Sequence, residues 1–173
     1  VVSQRVSNVT TAEYDPALGA PVCATPAAWC FSGTLLEAAG PAEQNEPNTL
    51  GGTCADGAGS VHRESESVER ITVAAGNNGT LVPGAKVTVT IRSWAYAANE
   101  ADQIDLYHAA DAHAPAWNHL RTFTPSAAGE NEHQVSFVLP TGPLQVIRVN
   151  FRFAQPGPDQ CSIGEFGDRD DLV

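Results

Sequence analysis

The sequence predicts an all-β, antiparallel sandwich with long N-terminal loops. Three observations carry that expectation. Apolar and polar residues alternate with period two over much of the second half of the chain, as half-buried strands require. Val87, Val89 and Ile91, for example, alternate with Thr88, Thr90 and Arg92. Turn-forming clusters separate such runs, among them Asn77-Asn78-Gly79, Pro83-Gly84 and Pro140-Thr141-Gly142-Pro143. No stretch sustains helical periodicity, and the Ala-rich segments carry Pro or Gly too often for a long helix.

Taken in chain order, residues 1–22 read as a tail or linker, punctuated by Asp15-Pro16, Gly19 and Pro21. The sandwich domain is expected over residues 23–173. Its first part, to about Ser60, is rich in Gly, Pro, Asn and Ala and reads as long ordered loops, with one or two short strands around residues 30–36. Val68, Ile71 and Val73 then begin a strand. The run from Val87 continues into Trp94 and Tyr96, which read as core. Ile104, Leu106 and His108 alternate with Asp105 and Tyr107, and residues 117–123 form another run. Val135, Phe137 and Leu139 alternate with Ser136 and Val138. Ile147, Val149, Phe151 and Phe153 alternate with Arg148, Asn150 and Arg152. Asp171-Leu172-Val173 reads as the start of a final strand.

The 173 residues suit one domain, or one domain with a tail, and can bury a core without help from a metal. With 20 Asp and Glu against 9 Lys and Arg, the net charge is −11. Such a field repels phosphate backbones and anionic membrane surfaces, so neither nucleic acid nor membrane is an expected partner. It suits Ca²⁺ or cationic partners. No apolar run approaches the ~18 residues of a membrane span. A chain that starts Val1-Val2-Ser3 and contains no Met is expected of a processed segment.

The cysteines are Cys23, Cys30, Cys54 and Cys161, with no C-x-x-C pair. An even count without metal-type spacing reads as two disulfides and a secreted, extracellular location. Three pairings are open to the sequence. The preferred one joins Cys23 to Cys30 in a short local loop and Cys54 to Cys161, tying the early chain to the last strand.

Three blocks carry a family resemblance. The first runs Glu46-Pro47-Asn48-Thr49-Leu50, Cys54-Ala55-Asp56-Gly57 and His62-Arg63-Glu64-Ser65-Glu66-Ser67-Val68-Glu69-Arg70-Ile71. The second is Trp94-Ala95-Tyr96, Asp105-Leu106-Tyr107, Ala110-Asp111-Ala112 and Pro115-Ala116-Trp117. The third is Cys161 with Gly167-Asp168-Arg169-Asp170-Asp171-Leu172-Val173. Together, over about residues 30–173, they resemble the C-terminal accessory domain of secreted bacterial metalloproteases and related exported proteins. The resemblance implies a jelly-roll-like sandwich that follows a catalytic domain and serves substrate binding or export. Cys23 lies outside the similar region.

The best candidate chemistry is calcium binding. Glu64, Glu66 and Glu69 gather before an early strand, and Asp168, Asp170 and Asp171 before the last one. First and last strands of a sandwich are often neighbours, and crowded carboxylates repel one another unless a hard cation joins them. The expected ligands are Glu66, Glu69, Asp168 and Asp171, with Asp56 in reserve. The competing expectation is solvated surface acids partnered by Arg63, Arg70 and Arg169. His108, His113 and His119 match no zinc signature. G-x-S-x-G, H-E-x-x-H and phosphate-loop motifs are missing. Tyr107 and Trp117 are candidate ligand-stacking rings, or else packing residues. The functional expectation is therefore a non-catalytic extracellular accessory module, calcium-stabilised, that binds or targets protein or polysaccharide. The alternative is a structural, assembly or export domain contacting an attached catalytic domain or neighbouring copies.

Overall fold

Period-two alternation is realised as stacked sheets in the computed structural model, which describes residues 8–173. The described strands are β1 (Val9–Thr11), β2 (Glu13–Asp15), β3 (Ala20–Val22), β4 (Trp29–Phe31), β5 (Ser67–Ala75), β6 (Lys86–Ala95), β7 (Asp102–Ala109), β8 (Asn118–Phe123), β9 (Gly129–Val138), β10 (Val146–Phe153) and β11 (Asp168–Leu172). One sheet has the order β1-β4-β5-β6-β9, the other β11-β10-β7-β8, and β2-β3 forms a separate hairpin. The long pairings are antiparallel, whereas β1 runs parallel to β4. The chain crosses between sheets after β6, after β8 and after β9, which gives the wrapped, jelly-roll-like path of an all-β sandwich.

The inner faces interdigitate as the alternation requires. Val68, Ile71, Val87, Val89 and Ile91 meet Ile104, Leu106, Val149, Phe151 and Leu172 in one apolar cluster. Each such side chain contributes about 1.5–3 kcal/mol through burial. Trp94 and Tyr96, expected as core, are exceptions. Trp94 lies half-buried on the outward face of β6 and Tyr96, just past its end, is 70% exposed, because the inward parity of that strand belongs to Val87, Val89, Ile91 and Ala95.

The outer face of the four-stranded sheet is also covered. The outward residues of β10, Arg148, Asn150 and Arg152, are all buried. Loops supply the cover and the partners. Arg148 donates from Nε and Nη2 to the two oxygens of Asp171, each at 2.7 Å. Arg152 Nε donates to Asp105 at 2.6 Å and Asn150 donates to the carbonyl of Asp159. The long loop before β5 also wraps the free edge of β11. Asp171 N–H donates to Asn48 O at 2.9 Å, and Arg169 N–H donates to Asp56 Oδ1 at 2.9 Å. An edge strand satisfied in this way cannot template aggregation.

Residues 9–22, expected to be tail or linker, instead build strands on the sandwich; residues 1–7 lie outside the described residues. The Pro and Gly signals were turn chemistry. Asp15 Oδ1 accepts from Ala17 N–H at 2.7 Å and Gly19 adopts φ +74°, closing the β2-β3 hairpin. β3 then docks beside the chain end, where Val173 N–H donates to Pro21 O at 2.9 Å.

Both disulfides take the preferred pairing, Cys23–Cys30 and Cys54–Cys161. They separate 7 and 107 residues respectively. Loop-closure entropy gives the long link about 5 kcal/mol and the short one about 2.5 kcal/mol. Urea unfolding of Cys54→Ser/Cys161→Ser should therefore show about twice the loss of stability seen for Cys23→Ser/Cys30→Ser.

Candidate metal centre

The site begins with the alternation of β11. Asp168 and Asp170 share a face with Leu172, which belongs to the inter-sheet core, whereas Arg169 and Asp171 point to the loop-covered side. All three aspartates are fully buried. Asp171 is answered by Arg148 and by Leu50 N–H at 2.7 Å. Asp168 accepts from Val68 N–H of β5 at 2.5 Å through Oδ2, while its Oδ1 has no hydrogen-bond partner. Asp170 has none for either oxygen.

The long loop brings two more carboxylates. Glu43 follows a short 3-10 turn at Gly40–Ala42, and its Oε1 accepts from Asn48 Nδ2. Its Oε2 is buried and unpartnered. Asp56 is held by Gly40 N–H, at 2.8 Å to Oδ2, and by the Arg169 N–H. Behind it Gly57 N–H donates to Gly167 O at 2.8 Å and Gly59 N–H to Glu165 O at 2.9 Å. The approach at Gly57 admits no side chain, since a Cβ there would stand 2.1 Å from Glu165 O. This backbone pairing sets Asp56 beside Asp168.

Oxygens of Glu43, Asp56 and Asp168 lie within 4.8 Å of one another. Calcium binds oxygens at 2.3–2.6 Å, so ligands across one ion stand up to about 5 Å apart, and the spacing fits. Asp170 shares the Asp168 face of β11, and the charges of Glu43, Asp168 and Asp56 act on its carboxyl. Among the described residues none of these four acids makes a salt bridge; Arg169 donates instead to the carbonyls of Ala55 and Gly167. Burial first, and then Asp56, pushes the Glu43 carboxyl up to about 9. Burial and then the neighbouring acids hold Asp168 and Asp170 well above the usual carboxylate range. Burial thus favours the protonated forms of Glu43, Asp168 and Asp170, and a hard divalent ion is the chemistry that would displace those protons.

Of the residues expected as ligands, Asp56 and Asp168 come together here. Asp171 turns to the opposite face and its arginine. Glu69 sits at an irregularity in the β5-β6 register, accepts from Ser67 Oγ at 2.7 Å, and lies 3.0 Å from His62 and 3.6 Å from Arg63. Glu66 stands against Asp102. Tyr107 is buried beside His119, with ring centroids 5.1 Å apart, and the Arg148 guanidinium lies 4.3 Å over the Trp117 ring. Neither ring offers both faces to a ligand. Glu43 and Asp170 join the site although sequence reasoning did not select them. For Asp170 the signal existed: in a strand, residues two apart share a face, and it is the face partner of Asp168.

No protein-family model matches the chain, and no curated protein matches it.

The Glu66–Asp102 pair makes stability depend on pH. Burial, and then Asp102, pushes Glu66 up to about 7 from an ordinary 4.5. A carboxyl raised in the folded state stabilises fully below its unfolded pKa, and that contribution fades as pH rises through the folded one. Between pH 4.5 and 7.5 the protein should lose on the order of 2–3 kcal/mol through this group. Glu66→Gln cannot ionise, so chemical unfolding across that window should show a correspondingly flatter profile.

Proposed function

We propose that this chain is a non-catalytic, secreted binding module whose loops are locked onto the sandwich by a bound Ca²⁺ at Glu43, Asp56, Asp168 and Asp170. One observation carries the reading: four carboxylates gather at one place, Asp168 and Asp170 fully buried, and among the described residues none of the four makes a salt bridge with a side-chain cation. All-oxygen ligation selects a hard ion over zinc or copper. Four carboxylates favour calcium over magnesium, which holds its waters and takes one or two. Glu43, Asp168 and Asp170 are buried and Asp56 half-buried, which suits a structural ion better than a reacting group. Two disulfides suit an oxidising, extracellular setting. No helix of the described residues is long and apolar enough to cross a membrane. The resemblance to protease accessory domains supplies the context, a module carried by a larger exported bacterial enzyme that brings it to protein or polysaccharide.

The ion ties three separate stretches: the loop at Glu43, the loop at Asp56, and β11. Thermal unfolding of EGTA-treated protein, with and without millimolar Ca²⁺, tests it. A ligand at 100 times its Kd adds about 2.7 kcal/mol, which is a rise of roughly 5–10 °C for a chain of this size. Mg²⁺ should do less. Asp170→Asn keeps the shape and removes a buried charge, so its EGTA melt should match or exceed the parent's while the Ca²⁺ response falls away. A parent protein indifferent to Ca²⁺ would sink the reading.

A further inference from the structure

A cleft of about 310 Å³ opens beside the acidic cluster. The β10 ladder places Phe151 opposite Asp168 and Phe153 opposite Asp102, so the cleft begins two residues, roughly 7 Å, along the strand from the cluster. Val61, Tyr96, Phe153 and Phe166 wall it, and Glu64 and Glu66 supply its charge. The walls are apolar yet solvent-facing: Tyr96 is 70% exposed, Val61 49%, Phe166 37% and Phe153 36%. Phe153 and Phe166 meet edge to face with centroids 6.2 Å apart, which fixes the ring arrangement.

The floor is acidic and lacks a counter-charge. Glu66 is 3% exposed and shares its carboxyl with Asp102, whose Oδ1 is buried without a hydrogen-bond partner. Among the described residues no Lys, Arg or His lines the cleft. Arg63, adjacent in sequence to Glu64, is turned away toward the Trp94 ring at 5.7 Å and Glu130 at 3.6 Å.

Apolar walls that lead to carboxyl groups without a cationic partner complement an apolar stem with a positive head. Aromatic rings add cation–π attraction at the same place. The volume is at the lower limit for small-ligand sites, which fits one side chain better than an extended glycan. Because Glu66 already shares its carboxyl, it offers no two-oxygen seat for a guanidinium fork, and a compact ammonium suits it better. We infer that this cleft is the docking pocket for a lysine side chain presented by a partner protein. The inference rests on the reading of the chain as a binding module, but not on the cation.

Titration of the Ca²⁺-loaded protein with Nα-acetyl-lysine N-methylamide, followed by NMR, tests it. Ring resonances of Tyr96, Phe153 and Phe166 should shift and saturate with Kd on the order of 1 mM. The norleucine analogue, which has the stem without the charge, should bind at least tenfold more weakly. Tyr96→Ala changes an exposed side chain, and Glu66→Gln keeps the shape of the buried one. Each should weaken lysine binding at least tenfold while leaving the circular dichroism spectrum and the Ca²⁺ melting shift in place. Overturning results are the lack of a saturable response, an equal response to norleucine, or a response at the same rings to cellohexaose or chitohexaose in place of lysine. Lysine binding by a protein that ignores Ca²⁺ removes the metal reading and leaves the cleft; a Ca²⁺ shift without lysine binding removes the cleft alone.

Discussion

The structure depends on how charges that have left water are answered. Buried ions are tolerable when a partner of opposite sign holds them in good geometry, and costly when one side is missing. Asp171 has Arg148 and Asp105 has Arg152, in a layer where loops seal the outer face of the four-stranded sheet. On the other face of β11 no cation among the described residues forms a salt bridge that meets the same demand. Asp168, Asp170, Glu43 and Asp56 converge there with oxygens to spare. One strand thus carries both solutions, separated only by side-chain parity.

That arrangement explains why the loops before β5 are ordered without regular structure. They are fixed at defined points: Asn48 and Asp56 accept from the β11 edge, Gly57 and Gly59 pair with residues 165–167, and Cys54 is bonded to Cys161. Every one of these links is to the last quarter of the chain. The long disulfide and the acidic cluster therefore lie on the same seam: the disulfide restricts the unfolded chain, and the proposed ion would stabilise the folded one.

Much of the sandwich was legible because its central strands alternate apolar and polar residues. In residues 86–95 that alternation follows burial of one face, whereas residues 146–153 are buried on both faces and keep it because Arg148, Asn150 and Arg152 stand on the loop-covered side. β11 was legible only at its end. All five of its residues are buried, three of them aspartates, so no pattern of apolar residues marks its start at Asp168. With the strand begun at Asp171, the parity that joins Asp168 to Asp170 and sets Asp171 apart was lost. Glu43 was invisible for another reason. It lies among Gly, Pro and Asn residues whose position follows from docking to β11, a long-range contact with no local signature. The hairpin at residues 13–22 was misread because Pro and Gly mark linkers and tight turns alike, and burial of Ala20 decides between them.

The cluster and the cleft share their supports, and this couples them physically. Phe166 of the cleft wall lies two residues before Asp168. Ser60 Oγ donates to Gly167 O at 3.1 Å, beside the wall residue Val61. Val68 N–H, held by Asp168, lies two residues after Glu66. The proposed ion would neutralise Asp168 and Asp170 and so favour the pairing of β11 with the loops on both sides of the cleft. Loss of the ion leaves four acids that must either keep protons or repel, and the first segments to yield would be the ones with no ladder of their own, residues 57–66 and 164–167. On that proposal calcium would steady one wall of the cleft without touching its ligand, while the Phe153–Phe166 ring pair and Glu66 define the cleft with or without it.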